Sequence, residues 1–349
     1  MASTAKSPKQ LGYRMPAEWA PHEATWLSWP HNLDTWPEEI EAVKDIWTQM
    51  VRALSGGEKV RLLVDNAAEK QEATARIART GARMENVELI EIPTVDVWMR
   101  DYGPTFVTRA GAAPLAFNDW IFNGWGNKYE SYVDDDVVAK AIARLLSVPV
   151  FAHDVVLEGG SIEVNGAGIC LTTEQCLLNP NRNPHLRRGD IDDLLKDSLG
   201  VEQVLWLGDG IVGDDTDGHI DDIARFVDAK TIVCAVEDDP RDENYRPLQE
   251  NYERLQGAKD QRDAKIDIVK LPMPGPVAWR GARLPASYAN FYIANETVLV
   301  PTYDHPNDRR ALGLLGDIFP GRTIVAIPSA PLVIGLGAIH CVTQQQPRA

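Results

Sequence analysis

Apolar residues recur at helical spacing in several stretches of the chain, and each stretch is followed by a short run typical of a β-strand. The helix–strand pairs recur roughly every 55–65 residues, a spacing that indicates repeated supersecondary units. We therefore predict an α/β fold made of five such units. The predicted helices cover 67–80, 134–146, 188–199, 242–256 and 307–319, and the predicted strands cover 87–92, 148–156, 201–207, 265–271 and 322–327.

The segment before the first unit combines an anchored stretch with a further helix. Residues 12–37 hold four tryptophans among prolines and histidines, which predicts an irregular segment fixed to the body of the protein. Pro37 marks a helix start, apolar residues follow at helical spacing, and Gly56 and Gly57 end the helix. No Gly/Ser-rich linker or block of like charge divides the chain, so we predict a single domain over residues 1–349.

The loops after the predicted strands carry the chemically unusual residues. Asp101 follows the first strand, Glu158 the second, His219 and Asp221 the third, and Cys341 the fifth. If the units are arranged around an axis, these loops converge on one site. One thiol, one imidazole and three carboxylates, with no basic residue in the set, favour a positively charged ligand.

The C-terminal stretch 335–346 is unusual for a chain end, because it combines glycines, apolar residues, a histidine and a cysteine. Residues 339–342 predict a short strand, on which His340 and Cys341 would face opposite sides. We therefore expect that His340 is not the base for Cys341, and that the acid–base partner comes from another loop. The alternative is that Cys341 is a buried structural cysteine.

His219 and Asp221 are two residues apart, so on a strand both would face the same side. A neighbouring carboxylate favours the charged imidazole, which suits a proton donor, although a purely structural pair is the alternative. The acidic run 214–222 suggests calcium, but Gly213 and Ala224 occupy the first and twelfth places of the EF-hand template, where acidic ligands are required. We predict no metal.

Trp98 and Asp101 together would suit a planar cation, because an aromatic face and a carboxylate both attract it. Glu158 precedes a Gly-Gly pair that lets the backbone approach a ligand closely. The alternatives are an exposed ion pair between Asp101 and Arg100, and a surface turn acid at Glu158.

Composition narrows the function classes. The net charge of −16 argues against nucleic acid, whose binding proteins are basic, and is compatible with a small cationic substrate. The first fourteen residues lack an apolar signal segment, and no apolar run in the sequence is long enough for a membrane span. Four cysteines without a zinc spacing favour a reduced, cytoplasmic protein.

Several motifs resemble those of the agmatine deiminases, a family of the guanidine-modifying superfamily. They are Trp-Met-Arg-Asp-Tyr-Gly-Pro from Trp98, Leu-Glu-Gly-Gly-Ser-Ile around Glu158, Asn-Pro-Asn-Arg-Asn-Pro-His, Asp-Gly-His-Ile-Asp-Asp around His219, and Ile-His-Cys-Val-Thr-Gln-Gln-Gln around Cys341. The resemblance implies a five-bladed α/β propeller (pentein) with pseudo-fivefold symmetry and a central active-site channel, without a metal or organic cofactor. A homo-oligomer is compatible with it.

The sequence departs from the plant-type pattern at two places. It reads Gly-Leu-Gly-Ala before the Ile-His-Cys motif, where plant-type members read Gly-Gly-Gly-Asn, and Glu163 stands where those members have histidine. The shorter bacterial branch is more similar. These differences concern contacts to the far end of the substrate.

Carried over residue by residue, the resemblance makes Cys341 the nucleophile, His219 the acid–base, and Asp101 and Asp221 the guanidinium clamp, with Glu158 orienting His219 or binding the substrate. It implies hydrolysis of agmatine to N-carbamoylputrescine and ammonia, a step of putrescine biosynthesis, through a covalent thiouronium. The alternatives are a hydrolase or amidinotransferase for another guanidine such as peptidyl-arginine, and a non-catalytic cation-binding protein.

Overall fold

The computed structural model describes residues 6–349, in which eighteen strands and nine helices follow one another. The strands β1–β18 are His22–Ser28, Lys59–Val64, Val87–Glu91, Thr105–Thr108, Leu115–Ile121, Val150–Val156, Glu163–Val164, Ile169–Thr173, Gln203–Leu207, Ala224–Phe226, Thr231–Val236, Asp267–Pro272, Ala278–Trp279, Ala282–Arg283, Tyr292–Ile293, Thr297–Thr302, Thr323–Pro328 and Gln344–Pro347. The helices α1–α9 are Ile40–Leu54, Ala67–Ala78, Met99–Tyr102, Gly124–Asn127, Val138–Leu146, Glu174–Leu177, Arg188–Leu199, Tyr245–Gln256 and Pro306–Ile318.

Five small sheets share one connectivity. The sheets have the strand orders β18-β1-β2-β3, β4-β5-β6, β7-β8-β9, β10-β11-β12 and β15-β16-β17, and β13 and β14 form a separate hairpin. In each sheet the first strand in this order is antiparallel to the second, and all later neighbours are parallel to each other. The parallel pairs are joined through a helix, as such pairs require. The predicted α/β class and the five helix–strand units are confirmed, and none of these sheets closes on itself within residues 6–349.

The five predicted helices, and the predicted strand that follows each of them, are confirmed with small shifts at their ends. Helix α7 begins and ends as predicted, because the Asp190 carboxylate accepts from the backbone N–H of Arg187 at its start and Gly200 closes it in the left-handed conformation. The predicted helix over 134–146 is α-helical only from Val138 to Leu146, and residues Glu130–Val137 form a 3₁₀ helix.

Two predictions near the chain ends are wrong. The segment 12–37 is not irregular throughout, since it contains strand β1, which pairs with β18 and β2. Residues 339–342 form a turn rather than a strand, because the backbone N–H of His340 donates to the side-chain oxygen of Asn290 at 2.8 Å instead of to a neighbouring strand. The final strand begins only at Gln344.

The largest apolar core lies against the loops that carry the unusual residues. Trp36 packs edge-on against Trp47, with ring centroids 6.3 Å apart, and tilted against Trp98 at 5.7 Å. Cys341 belongs to the same buried cluster. Trp98 therefore connects the core to the candidate site. In residues 6–349 no helix has the length and apolar character needed to traverse a bilayer.

The last strand, β18, forms one edge of the first sheet. We therefore predict that a short C-terminal truncation unfolds the protein. Ending the chain at Thr343 removes β18, including the Gln346 oxygen that accepts from the Trp26 indole at 3.1 Å. Backbone hydrogen bonds contribute about 1 kcal/mol each, against a total stability of about 5–15 kcal/mol. We expect loss of soluble, cooperatively unfolding protein, measured by circular dichroism during heating. A chain ending at Pro347 retains β18 and is the control; equal melting temperatures for the two truncated forms would contradict this.

Candidate active site

The candidate nucleophile lies in the turn before β18. The Cys341 side chain is 7% exposed, its Sγ accepts a hydrogen bond from Asn290 Nδ2 at 3.1 Å, and it lies 3.8 Å from Asp221 Oδ2. Burial raises the pKa of the Cys341 thiol well above its usual range, and the negative charges of Asp221, Asp222 and Asp101 raise it further. The thiol of the ligand-free protein is therefore neutral at physiological pH.

Asp101 is held by two donors from other parts of the chain. It lies on the short helix α3, where Oδ1 accepts from the backbone N–H of Gly160 at 2.9 Å and Oδ2 accepts from the Trp125 indole at 2.8 Å. A Cβ at Gly160 would lie 2.5 Å from His219 Nδ1, so only glycine allows this approach. Burial raises the pKa of Asp101 to about 6, although the charge of His219 opposes the rise.

His219 and Asp221 lie on a 3₁₀ turn rather than a strand, with His219 immediately before Ile220–Asp222. His219 Nδ1 is 3.7 Å from Asp101 Oδ1. Burial alone would lower the pKa of His219, but the charge of Asp101 and the neighbouring Cys176 and Asp221 hold it well above its usual value. His219 is therefore charged in the free protein, and Asp101 rather than Asp221 contributes most to this.

Asp221 is buried between the thiol and His340. Its Oδ2 accepts from His340 Nδ1 at 2.7 Å, whereas its Oδ1 has no hydrogen-bond partner within residues 6–349. Burial alone would raise the pKa of Asp221, but the hydrogen bond and charge of His340 hold it below its usual value. Asp221 is thus an ionised carboxylate with one free oxygen beside Cys341.

Glu158 lies behind His219 and is bound by a residue that sequence reasoning missed. Arg182 Nε donates to Glu158 Oε1 at 2.7 Å, and Arg182 Nη1 donates to Asp217 at 2.6 Å. The quoted Asn-Pro-Asn-Arg-Asn-Pro-His motif contains Arg182, but nothing in its spacing links it to Glu158. A basic residue therefore lies next to Glu158, outside the predicted set of one thiol, one imidazole and three carboxylates.

The acidic run 214–222 is used to build its own turn. Asp214 accepts hydrogen bonds from the backbone N–H groups of Thr216 and Gly218, each at 2.7 Å. Asp217 pairs with Arg182 and with Lys128, the latter at 2.8 Å. These carboxylates stabilise the loop that presents His219, which explains the run without calcium.

Two groups of potential metal donors occur in the described part of the chain. Glu158, Cys176 and His219 each offer a donor atom within 4.8 Å of the others, and these are residue types that bind zinc. The guanidinium of Arg182 is hydrogen-bonded to the same Glu158 carboxylate, and its charge disfavours a metal cation there. The second group, His31, Asp65 and Glu69, is half-buried at the surface.

A cavity of about 160 Å³ opens onto the thiol. Three aspartates and no lysine or arginine lie among its lining residues, as far as the described chain shows. A Cβ at Gly337 would lie 2.3 Å from the Trp98 ring, so this glycine lets the indole form the wall. The lining residues are Asp34, Thr35, Trp98, Asp101, Trp125, Tyr129, Tyr132, Asp215, Thr216, Ile334, Gly335, Leu336, Gly337 and Cys341.

Among the residues predicted from sequence, Trp98, Asp101 and Cys341 line the cavity, and His219, Asp221 and Glu158 lie buried behind them. Sequence reasoning missed Asn290, which follows the fourth unit and contacts the thiol. Three buried polar atoms, Asp221 Oδ1, Glu158 Oε2 and His219 Nε2, have no partner within residues 6–349. Such atoms cost about 1–3 kcal/mol each, so the site is built to receive polar groups of a ligand.

Known proteins match the chain over nearly its whole length. Residues 14–347 match the Porphyromonas-type peptidyl-arginine deiminase family. An agmatine deiminase of Ectopseudomonas mendocina is 37% identical over 370 residues, which cover 99% of both chains. The solved structure of an Enterococcus faecalis agmatine deiminase superposes with a TM-score of 0.91 at 34% identity, covering 99% of both chains.

A solved C. jejuni agmatine deiminase, a cysteine-to-serine variant with substrate bound, has a TM-score of 0.86 at 33% identity, over 96% of both chains. The resemblance drawn from the motifs is therefore confirmed by sequence and by structure. The chain belongs to the Porphyromonas-type peptidyl-arginine deiminase family and is similar throughout to its agmatine deiminases.

Proposed function

We propose that this protein hydrolyses agmatine to N-carbamoylputrescine and ammonia. The observation that carries the proposal is the pair of buried carboxylate oxygens without a partner within residues 6–349, Asp221 Oδ1 and Glu158 Oε2, together with the ionised state of Asp221 next to the neutral Cys341 thiol. A guanidinium is planar, permanently charged and carries its N–H donors in a fixed plane. It supplies both the donors and the positive charge that these acidic groups lack.

The acidic carboxylates form the proposed clamp. Asp221 offers its free Oδ1, and Asp101, which lines the cavity, offers the remaining lone pairs of its carboxylate. Glu158 Oε2 is free as well, which supports a direct contact with the substrate in addition to an effect on His219. The Trp98 ring provides an aromatic wall for the cation.

The lining of the cavity supports an amine at the far end of the substrate. Asp34 and Asp215 are the acidic residues there besides Asp101, and the lining has no basic side chain among the described residues. Agmatine ends in an ammonium group, which these charges attract, whereas the α-carboxylate of free arginine would be repelled. This charge pattern favours agmatine over arginine.

Catalysis begins when the bound cation reverses the charge around Cys341. The thiol loses its proton to solvent, and the thiolate attacks the guanidinium carbon to give a neutral tetrahedral adduct. The charged His219 donates a proton to the departing nitrogen, so that ammonia leaves as the C–N bond breaks. The remaining amidine stays bound to Cys341 as a thiouronium.

The second half reaction uses His219 in its neutral form. His219 takes a proton from water as the water oxygen attacks the thiouronium carbon, which gives a second tetrahedral adduct and the charged His219. The C–S bond then breaks and the hydroxyl proton of the adduct passes to the leaving sulfur, so that the substituted urea is released and the neutral Cys341 thiol is restored. No metal or organic cofactor takes part in these steps.

We further propose that the five sheets form the blades of an α/β propeller with pseudo-fivefold symmetry and a central channel, within one catalytic domain over 1–349. The shared connectivity of the sheets supports this, as does the origin of the site residues in successive inter-sheet loops.

Four buried free cysteines are compatible with a reducing cytoplasm. The net charge of −16 is unsuited to nucleic acid. Homo-oligomerisation stays a hypothesis.

Replacing the nucleophile tests the proposed activity. We expect Cys341→Ser to retain the melting temperature and agmatine binding but to lose turnover, because serine is not ionised by the substrate cation. Ammonia release is measured with agmatine, arginine, a blocked arginine ester and a peptidyl arginine. Cys234→Ala, at a buried cysteine that does not line the cavity, is the control and should stay active. A Cys341→Ser variant with a tenth of the normal activity would remove Cys341 from the nucleophile role.

Replacing the clamp carboxylates tests substrate binding. We expect Asp101→Asn and Asp221→Asn each to lose roughly a hundredfold or more in kcat/KM for agmatine, because a buried charge pair becomes a neutral contact. Steady-state kinetics measures the loss. Asp135→Asn is the control, since Asp135 is equally buried but accepts from the backbone of Val95 and Asp96, outside the cavity. Near-normal kinetics for both clamp variants would place the clamp elsewhere.

Alkylation rates test whether the substrate activates the thiol. Because the pKa of Cys341 is raised in the free protein, we expect slow reaction with a neutral haloacetamide at neutral pH. A haloacetamidine of the same size carries a cation beside its reactive carbon, so it should inactivate far faster, and agmatine should protect. Inactivation is followed across pH for both reagents. Equal rates would show that the thiolate is formed before the ligand binds.

A further inference from the structure

We infer that His340 is a positioning residue for the reaction: it holds Asp221 ionised and aimed at the substrate cation, and Glu18 in turn holds His340. The inference rests on the proposed function, in which Asp221 clamps the guanidinium. The expectation that His340 is not the base for Cys341 leaves this residue without a role, although it adjoins the nucleophile in the chain.

The geometry of the ring defines its protonation. His340 is 1% exposed, its Nδ1 lies 2.7 Å from Asp221 Oδ2, and its Nε2 lies 2.8 Å from Glu18 Oε2. An ionised carboxylate oxygen only accepts hydrogen bonds, so both ring nitrogens must carry protons to satisfy both contacts. His340 is thus a buried cation between two carboxylates, and neither nitrogen is free to take the thiol proton.

The backbone of His340 is fixed by a residue outside this chain of contacts. The His340 backbone N–H donates to Asn290 Oδ1 at 2.8 Å, and Asn290 Nδ2 donates to the Cys341 Sγ at 3.1 Å. The same side-chain amide therefore holds both the backbone that carries the imidazole and the sulfur of the candidate nucleophile.

Glu18 is anchored firmly enough to hold the imidazole. It accepts from Arg225 Nη2 at 2.9 Å and from the backbone N–H of Ile293 at 2.8 Å, and Arg100 Nη2 lies 3.4 Å away. Burial alone would raise the pKa of Glu18, but the charges of Arg225, His340 and Arg100 hold it well below its usual range. Glu18 therefore remains an anion and a fixed acceptor.

The consequence for Asp221 is both geometric and electrostatic. His340 occupies Oδ2 and leaves Oδ1 free for the ligand, while its charge opposes the burial that would otherwise protonate the carboxylate. Without His340 the pKa of Asp221 rises, and a protonated Asp221 cannot clamp a guanidinium. The activity lost on removing His340 should therefore grow as the pH falls. The other charged or titratable groups around this pair are Arg225, Arg100, Asp222, His219, Asp101, Glu163 and Cys341.

The test compares His340→Gln with wild type in kcat/KM for agmatine between about pH 5 and about pH 8. A neutral side chain that replaces a nearby opposite charge raises a carboxyl pKa by roughly 1–3 units, so the variant should be protonated at Asp221 mainly toward pH 5, where the loss in kcat/KM should be several-fold larger than at pH 8. Glu18→Gln should also lose more kcat/KM relative to wild type as the pH falls, but by a smaller factor, because His340 can still donate to Asp221 from Nδ1.

Glu163→Gln is the matched control. Glu163 is similarly buried and also bound to Arg225, through Nε at 3.0 Å, but makes no hydrogen bond to His340. The kcat/KM of Glu163→Gln divided by that of wild type should not vary with pH, even if the melting temperature of the variant falls. A purely structural role for His340 would likewise give a ratio independent of pH, and that result in a folded His340→Gln variant would overturn the inference.

A measurement on the unmodified protein covers the case in which the variant does not fold. Nitrogen-15 NMR of labelled histidine should show two protonated ring nitrogens for His340, assigned by its response to Glu18→Gln. A neutral ring would overturn the inference. Absence of wild-type ammonia release from agmatine would instead refute the proposed function, while the NMR result still decides the state of His340.

Discussion

One buried carboxylate, that of Glu18, joins the parts of the chain that build the site. It accepts hydrogen bonds from Arg225 in the fourth sheet, from Ile293 in the fifth, and from His340 in the closing turn, and Arg100 approaches it from the loop after the first. A charge so far from water is tolerated only when its partners neutralise it. The positions of these four elements and the ionisation of Glu18 therefore depend on each other.

The polar side chains nearer the cavity do not all have hydrogen-bond partners. Each oxygen of Asp101 has a donor, but Asp221 and Glu158 each keep one oxygen without a partner among residues 6–349, and His219 keeps Nε2 without one. Unpaired buried polar atoms lower the stability of the folded state. A guanidinium that donates to the free oxygens of Asp221 and Glu158 would restore part of that stability, which is why we propose that the substrate cation binds there.

The sequence predicts the parts of this structure that depend on local pattern. The helices are predictable because their apolar residues recur at helical spacing, as in α7. The leading antiparallel strands such as β7 and β10 are two or three residues long and buried throughout, so they show no alternation to recognise. The segment around Cys341 predicts a strand but forms a turn, because a backbone donor there is satisfied by the side chain of Asn290, fifty residues earlier in the chain. Arg182 and Glu18 act only through contacts that no local spacing reveals.

The charge pattern of the site links substrate choice to nucleophile activation. In the free protein the acidic groups keep the Cys341 thiol protonated, and the buried cation hydrogen-bonded to Asp221, His340, is already committed to two carboxylates. A neutral ligand would leave this balance unchanged and the thiol unreactive. In the proposed reaction, a guanidinium brings the missing positive charge to the clamp, where Asp221 lies next to the thiol. Selection for a cation and formation of the thiolate would then be the same electrostatic event, and a ring of acids could surround the proposed nucleophile without disabling it.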